Sequence, residues 1–384
     1  MCPTGRQFEE MPPPLRRVLD DVLAGYRLTR EEAVRLLKTR DRGILEIVAA
    51  ADELREMVVG DTVTYVRNQN INTTNICINA CGFCGFSRKA GDRDAYLYDE
   101  AAVRERAREA YGRGVTEVCT VSGLHPDFDA QSYIDIYSWI RDEAPGVHIH
   151  ASNPMEVAYA AQRSDLPTRD VLIAMKAAGL GTLCGTAAEI LVDPVRAVIC
   201  PDKIDTATWT RIIREAHELG IRSTATIMYG HTESDADRIR HLSILREIQD
   251  DTGGFTEFVP LSFIHENTPL YRAGRARAGA TGREDILMVA VARLFLDNIE
   301  NIQASWVKLG PKMAEVTLLS GANDLGGTLF EESISRSAGA RGTDYLDPAE
   351  MRRMAEDLGR TLRQRTTTYE LIPERREVLL QTRA

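Results

Sequence analysis

The sequence predicts an α/β fold, a (β/α)8 TIM-type barrel of parallel strands with an N-terminal helical cap and a C-terminal helical extension. Three observations carry this expectation. From residue 62 onward, short β-rich runs alternate with amphipathic helical patterns, which implies a parallel sheet. Eight such runs occur, at 63–71, 116–122, 147–151, 182–185, 222–228, 256–261, 301–307 and 322–325. They spread over roughly 265 residues, the size of one closed barrel. An open barrel of six strands with a helical appendage is the alternative, because the last two runs are the weakest.

Residues 1–61 read as the helical cap. Thr29 followed by Glu31 and Glu32 has the form of a helix start, and Ala33, Leu36 and Leu37 recur behind it at helical spacing. Ile44, Ile47, Val48, Ala51 and Leu54 continue the pattern in a second helix, which Gly60-Asp61 ends. The barrel spans 62–335. Its helical faces include Trp209, Ile212, Ile213, Ala216 and Leu219, then Ile239, Leu242, Leu245 and Ile248. Residues 336–384 are polar, helical around 348–362, and read as an outer tail. A parallel barrel carries its chemistry at the C-terminal ends of its strands, so the residues just after each run are the candidates.

With 384 residues, 43% hydrophobic and 27% charged, the chain can bury a large core, and disorder throughout is excluded. A formal charge of −10 repels phosphate backbones and argues against nucleic acid as a main partner. No run of about 18 apolar residues occurs, so no membrane partner is expected. The first residues lack a hydrophobic signal core, and the expected location is the cytoplasm.

The chain has seven cysteines, and an odd number in such a chain makes a disulfide framework a poor reading. Cys77, Cys81 and Cys84 stand as Cys-x3-Cys-x2-Cys in the loop after the first β-rich run. Thiolates at this spacing favour zinc or an iron–sulfur cluster. A structural zinc site takes four ligands, usually as two close pairs. A 4Fe–4S cluster normally takes four cysteines, so with three one iron keeps an open position for a small molecule. Cys119, Cys184 and Cys200 have no spacing for a second cluster and read as free thiols.

The run Cys77-x3-Cys81-x-Phe83-Cys84 resembles the signature of the radical S-adenosylmethionine enzymes. That resemblance implies a 4Fe–4S cluster on the three cysteines, with S-adenosylmethionine bound to the open iron and Phe83 packed near its adenine. One electron from the cluster then cleaves the cofactor to methionine and a 5′-deoxyadenosyl radical.

A closer resemblance covers roughly residues 43–340. It rests on Gly123-Leu124-His125-Pro126, His148-Ile149-His150, Pro154-Met155-Glu156, Met228-Tyr229-Gly230-His231 and the segments 185–191, 253–261, 301–308 and 323–328. Together these resemble the CofH family, the tyrosine-using part of deazaflavin (FO) synthase. The sister aminofutalosine synthase family shares many segments, but Phe-Thr-Glu-Phe-Val-Pro-Leu at 255–261 favours the deazaflavin family. The resemblance implies cleavage of the Cα–Cβ bond of L-tyrosine and addition of the 4-hydroxybenzyl group to 5-amino-6-(D-ribitylamino)uracil. It also implies an electron donor and a partner radical enzyme that closes the deazaflavin ring. The alternatives are addition of the adenosyl radical itself to an enol ether, another acceptor for tyrosine, or a non-enzyme whose cysteines clip a structural metal.

On this reading the metal ligands are Cys77, Cys81 and Cys84. The cofactor-binding candidates are Phe83, Ser122, Gly123, Ser152 and Glu189, each near a strand end except Phe83 in the cysteine loop. The catalytic candidates are Glu257, His231 and His265. Glu257 stands inside an apolar run, where a buried carboxylate is costly unless used or paired. An imidazole titrates near neutrality and can move a proton. His125, His150, Met155, Glu156, Trp306, Lys308, Asn323 and Asp324 are secondary candidates. The sequence departs from the expected family pattern at Thr73, at Val121-Ser122, at Ser152-Asn153 and at Cys184, all beside the expected mouth.

Overall fold

A computed structural model describes residues 14–340 and 345–373; Cys2 lies outside the described residues. Among the described residues nine strands form: β1 (Thr62–Val66), β2 (Asn68–Asn70), β3 (Glu117–Thr120), β4 (His148–Ala151), β5 (Leu180–Leu183), β6 (Arg222–Tyr229), β7 (Phe255–Ser262), β8 (Asp324–Gly327) and β9 (Thr361–Gln364). Strands β2 to β7 lie side by side in sequence order as a parallel six-stranded sheet, and β8-β1-β9 form a parallel three-stranded sheet. Single bridges, Phe258 with Ile302 and Gln303 with Asp324, carry the ring from β7 to β8. The predicted α/β barrel is therefore present, continuous over six strands and completed by shorter contacts. Because every pairing of named strands is parallel, the C-terminal ends gather at one mouth.

The helices follow their apolar faces. In the helix Thr206–Glu218 the buried residues are Trp209, Ile212, Ile213 and Ala216, at three- and four-residue spacing. Thr29 begins the helix Arg30–Leu37 with a capping box, its hydroxyl accepting from the Glu32 amide. Helix Gly43–Val59 of the cap packs on helix Gly282–Phe295, so the cap shares the barrel's core cluster.

Three sequence expectations need correction. The predicted first strand breaks at Arg67, whose carbonyl accepts from the amides of Thr116 and Glu117. The chain changes neighbours there, β1 pairing with β8 and β9, and β2 with β3. The predicted seventh strand, 301–307, is not a strand. Ile302 and Gln303 make one bridge each, and Ser305 then accepts from the amides of Lys308 and Leu309 to open the helix Trp306–Leu309. Trp306 and Lys308 thus sit on one helical turn, because a short apolar run fits either period until its hydrogen bonds are known. Finally, the tail carries the expected helix, Pro348–Asp357, and then a strand the sequence reading lacked. β9 pairs with β1 from Thr62↔Thr361 to Tyr65↔Gln364 and fills an edge that β1 would otherwise leave open.

Candidate active site

The C-terminal ends of the strands surround a cavity of about 410 Å³. Its lining brings together Cys77, Cys81, Cys84, Phe83, Ser122, Gly123, Glu189 and Glu257 among the predicted site residues.

The cysteine loop leaves β2 and is fastened at several points. Thr74 bridges Leu97 and Ile76 bridges Arg88. Arg88 binds the Asp94 carboxylate with Nε (2.8 Å to each oxygen) while its Nη1 donates to the carbonyls of Gly85 and Ser87, both at 3.0 Å. One guanidinium thus fixes the chain just after Cys84. Gly82 donates its amide to the Ile199 carbonyl at 2.8 Å, and Leu270 donates back to Gly82 at 2.7 Å. Burial pushes the Cys81 thiol up to about 12 and raises the Cys84 thiol, so thiolates there need the charge of a bound cation.

Gly123 is required by packing. Its amide donates to the Thr74 carbonyl at 2.8 Å, and a Cβ on it would strike the Ile76 carbonyl. The glycine lets the β3 loop lie directly against the cysteine loop. Ser122 supports the same contact: its hydroxyl accepts from the Thr73 amide at 2.8 Å, and its own amide donates to Glu156 at 3.3 Å. Thr73, a departure from the family pattern, is therefore part of this seam.

Glu189 and Lys203 form an ion pair of 2.6 Å at the cavity, with the Lys203 ammonium 5.1 Å from the centre of the Phe83 ring. Burial alone would lower the Lys203 ammonium, but Glu189 and the thiols of Cys81 and Cys200 outweigh it and raise its pKa. The turn that presents Glu189 is strained, with Ala187 (φ 63°) and Glu189 (φ 46°) both left-handed. Buried Arg196 pins it through the carbonyls of Ala187, Ala188 and Ile190.

Deeper in the barrel, a second polar group faces the cavity. Glu257 accepts from Tyr369 Oη at 2.7 Å and from Gln303 Nε2 at 3.3 Å, and Arg365 Nη2 stands 3.5 Å away. Burial raises Glu257 to about 7 despite the opposing Arg365 charge. Glu117 is buried too, but His150 and Arg365 outweigh burial and hold its carboxyl below the usual range. Glu156, at the start of the helix Pro154–Ser164, is raised by burial to about 8 although the Ser122 and Asn153 amides donate to it.

Other predicted site residues lie elsewhere. His231 is not among the cavity-lining residues: its Nε2 meets the Met228 carbonyl at 3.1 Å and its Nδ1 faces Glu233 at 3.1 Å. It ties the turn after β6 together. His265 packs its ring edge-on against Tyr271 at 4.4 Å, on the loop after β7 and outside the lining. Ser152, predicted to bind cofactor, is buried and not among the cavity-lining residues; it is left-handed at φ 48°, with its hydroxyl on Tyr137. Among the secondary candidates, Asn323 accepts from Arg293 and the Ile302 amide, and Asp324 binds Arg365, so both are framework. His125 accepts from the Asp127 amide within its own loop.

The sequence reading missed Lys203, Glu117, Arg365 and Tyr369. Lys203 follows a helix rather than a strand, and Arg365 and Tyr369 lie in the segment read as an outer tail. Only Glu117 carried a signal, a charged residue at the start of an apolar run, as for Glu257.

The donor set fits a multi-iron cluster with a small-molecule ligand. Cys77, Cys81 and Cys84 line one cavity from a single loop, and none of them belongs to the one group of three His/Cys/Asp/Glu ligand atoms found within 4.8 Å of one another among the described residues. Beside them, Asn79 Nδ2 and Thr186 Oγ1 are buried at the cavity without a hydrogen-bond partner, as are Asn70 Oδ1 and Asn72 Oδ1 nearby. Such atoms are costly unless a ligand or an ordered water meets them.

Comparison with known proteins agrees with this geometry. Residues 71–245 match the family profile described as the radical SAM superfamily, and residues 252–378 match the CofH/MqnC C-terminal region. A 5-amino-6-(D-ribitylamino)uracil–L-tyrosine 4-hydroxyphenyl transferase of Methanoculleus marisnigri is 80% identical over 94% of this chain and 99% of its own. A protein of the same name from Methanosphaerula palustris is 67% identical over 93% of this chain and 98% of its own. The crystal structure of HydG, an FeFe-hydrogenase maturase, shares the fold with a TM-score of 0.74 at 17% identity, over 92% of this chain and 76% of that one. No helix among the described residues is long and apolar enough to cross a membrane.

Proposed function

The chain belongs to the family of 5-amino-6-(D-ribitylamino)uracil–L-tyrosine 4-hydroxyphenyl transferases, within the radical S-adenosylmethionine superfamily, and on that premise we propose how its residues divide the reaction. The reaction cleaves the Cα–Cβ bond of L-tyrosine and joins the 4-hydroxybenzyl group to the ribitylaminouracil, a step of deazaflavin biosynthesis. Cys77, Cys81 and Cys84 would hold a 4Fe–4S cluster, which with three cysteine ligands would have a position for S-adenosylmethionine. When bound, that pair supplies a one-electron cleavage yielding the radical that starts the chemistry.

The chain's own residues bind, orient and hold protons. Phe83 and the Glu189–Lys203 pair face the cofactor. Lys203 occupies one Glu189 oxygen, leaving the other oxygen to accept ribose hydroxyls. Asn79 and Thr186 offer the unmet donor and hydroxyl beside it. Glu257 faces the substrate end. A carboxyl that titrates near 7 can take the proton of the tyrosine ammonium, and Arg365 and Tyr369 fix its orientation. The barrel wall excludes water from the radical. An electron donor and a partner radical enzyme complete the reading.

The observation that carries it is that one cavity is lined by both the cysteine loop and Glu257 with Arg365 and Gln303. Anaerobic turnover with dithionite, S-adenosylmethionine, tyrosine and ribitylaminouracil tests it. The expected products are free 5′-deoxyadenosine and an adduct heavier by a 4-hydroxybenzyl group. An adduct retaining the adenosyl group, or no tyrosine-dependent product, refutes it.

A further inference from the structure

Cys119, His150 and Cys184 sit on or just after three neighbouring strands, β3, β4 and β5, and all three line the cavity. Cys119 pairs in register with His150, and Cys184 directly follows β5. The concave inner face of the barrel turns their side chains toward one point. Their two sulfurs and a ring nitrogen all lie within 4.8 Å of one another.

We propose that these three residues form a mononuclear zinc site, separate from the cysteine loop, with its fourth coordination position open to the cavity. Two thiolates and an imidazole are a donor set that borderline-soft cations prefer. Bonds of about 2.3 Å to sulfur and about 2.0 Å to nitrogen bring such ligand atoms to roughly 3.5–4 Å apart, a small contraction from the distances present. Ligation displaces two thiol protons and leaves the imidazole neutral.

Two further features favour a cation over the other reading of paired thiols. A disulfide is out of reach. The strands carrying Cys119 and Cys184 are separated by β4, so their backbones lie about 9 Å apart, beyond the roughly 7 Å that a disulfide spans. The histidine also has the kind of hydrogen-bond partner that a ligand histidine has. Its Nδ1 contacts the Thr182 hydroxyl at 2.8 Å, and that hydroxyl also contacts His148 Nε2 at 2.9 Å. When Thr182 accepts from Nδ1, Nε2 carries the lone pair, the outer arrangement typical of metal-bound histidine. Three protein ligands with a cavity on the fourth side is the form of an open zinc site, whose last ligand is an oxygen or nitrogen of a bound small molecule.

The site does not depend on the reaction proposed above, and its test reads binding, not turnover. Holoenzyme reconstituted anaerobically with iron and sulfide, so that the cysteine loop is filled, is dialysed against Zn2+ and then against buffer. The expected result is one tightly held zinc per chain. Zinc-edge X-ray absorption is expected to find two sulfurs and at least one imidazole nitrogen. His150→Ala and Cys119→Ser/Cys184→Ser are each expected to lose the zinc while keeping the cluster iron, which certifies the fold. Should the double variant fail to fold, the His150→Ala result decides alone. No zinc above background in the wild type, zinc retained by the His150→Ala protein, or a shell of three sulfurs overturns the proposal.

Discussion

Arg365 grips Asp324 inside the barrel, with Nε 2.5 Å from Oδ2 and Nη2 3.0 Å from Oδ1, both side chains buried. Thr64 of β1 donates to the same carboxylate at 2.5 Å. The contact locks the segment after β9 onto β8 and β1, and it holds a positive charge beside Glu257.

Removing one partner should therefore be severe. Arg365→Met leaves Asp324 buried and unpaired, a loss of about 3–5 kcal/mol. The double variant Asp324→Asn/Arg365→Met should recover part of it. Denaturant midpoints read both, and an unchanged midpoint in the single variant would show that the pair does not anchor the tail.

Glu257 gives a pH signature. Its carboxyl is raised from the usual 4.5 to about 7 in the folded chain, so the folded state binds that proton more tightly than the unfolded one. The stabilisation from this group is full below about 4.5 and is lost as pH rises through about 7. Glu257→Gln should flatten that part of the stability profile. In turnover, the ionised form is the competent one, so the rate should rise through about 7 in the wild type and lose that dependence in the variant.

Glu189→Gln should weaken S-adenosylmethionine binding roughly 10- to 100-fold, the worth of a hydrogen bond to a charged acceptor. Cluster iron should be unchanged, since Glu189 is not among the cysteine ligands. Equilibrium binding to the reconstituted protein gives the answer, and an unaltered affinity would remove Glu189 from the cofactor site.

Gly123→Ala should act on the cysteine loop. The added methyl meets the Ile76 carbonyl, which is backbone and cannot rotate away. A cost of about 1–3 kcal/mol is expected, with reduced iron and sulfide per chain after reconstitution. Full cluster loading would show that the loop yields without consequence.

His231→Gln should lower stability and spare chemistry. The ring bridges the Met228 carbonyl and Glu233 in the turn after β6, away from the cavity lining. The unfolding midpoint should drop, while kcat at saturating substrates stays at the wild-type value. A large fall in kcat in a protein with full cluster content would return His231 to the catalytic group.

Much of this was legible in the order of residues. The cysteine triplet is a local pattern, spaced by covalent geometry alone, and it fell on the cavity. The strands β3 to β7 followed from their apolar runs, each within about two residues at either end. Glu257 stood out because a carboxylate inside an apolar run has to be accounted for, and it lines the cavity. The histidines misled for the opposite reason: His231 and His265 follow strands as catalytic residues do, and nothing nearby in sequence tells which way a loop side chain turns.

The sequence by itself determined the barrel's alternation and the soft-ligand loop, because periodicity and short spacing act between residues close along the chain. The tertiary structure alone decided which distant groups meet. Arg365 lies 41 residues from Asp324, and Tyr369 lies 112 from Glu257; both meet these partners inside the barrel because β9 joins the free edge of β1. Cys119, His150 and Cys184 looked like an unrelated pair of thiols and a strand histidine. Parallel pairing with a fixed register, on a surface curved inward, is what brings their ligand atoms to one point.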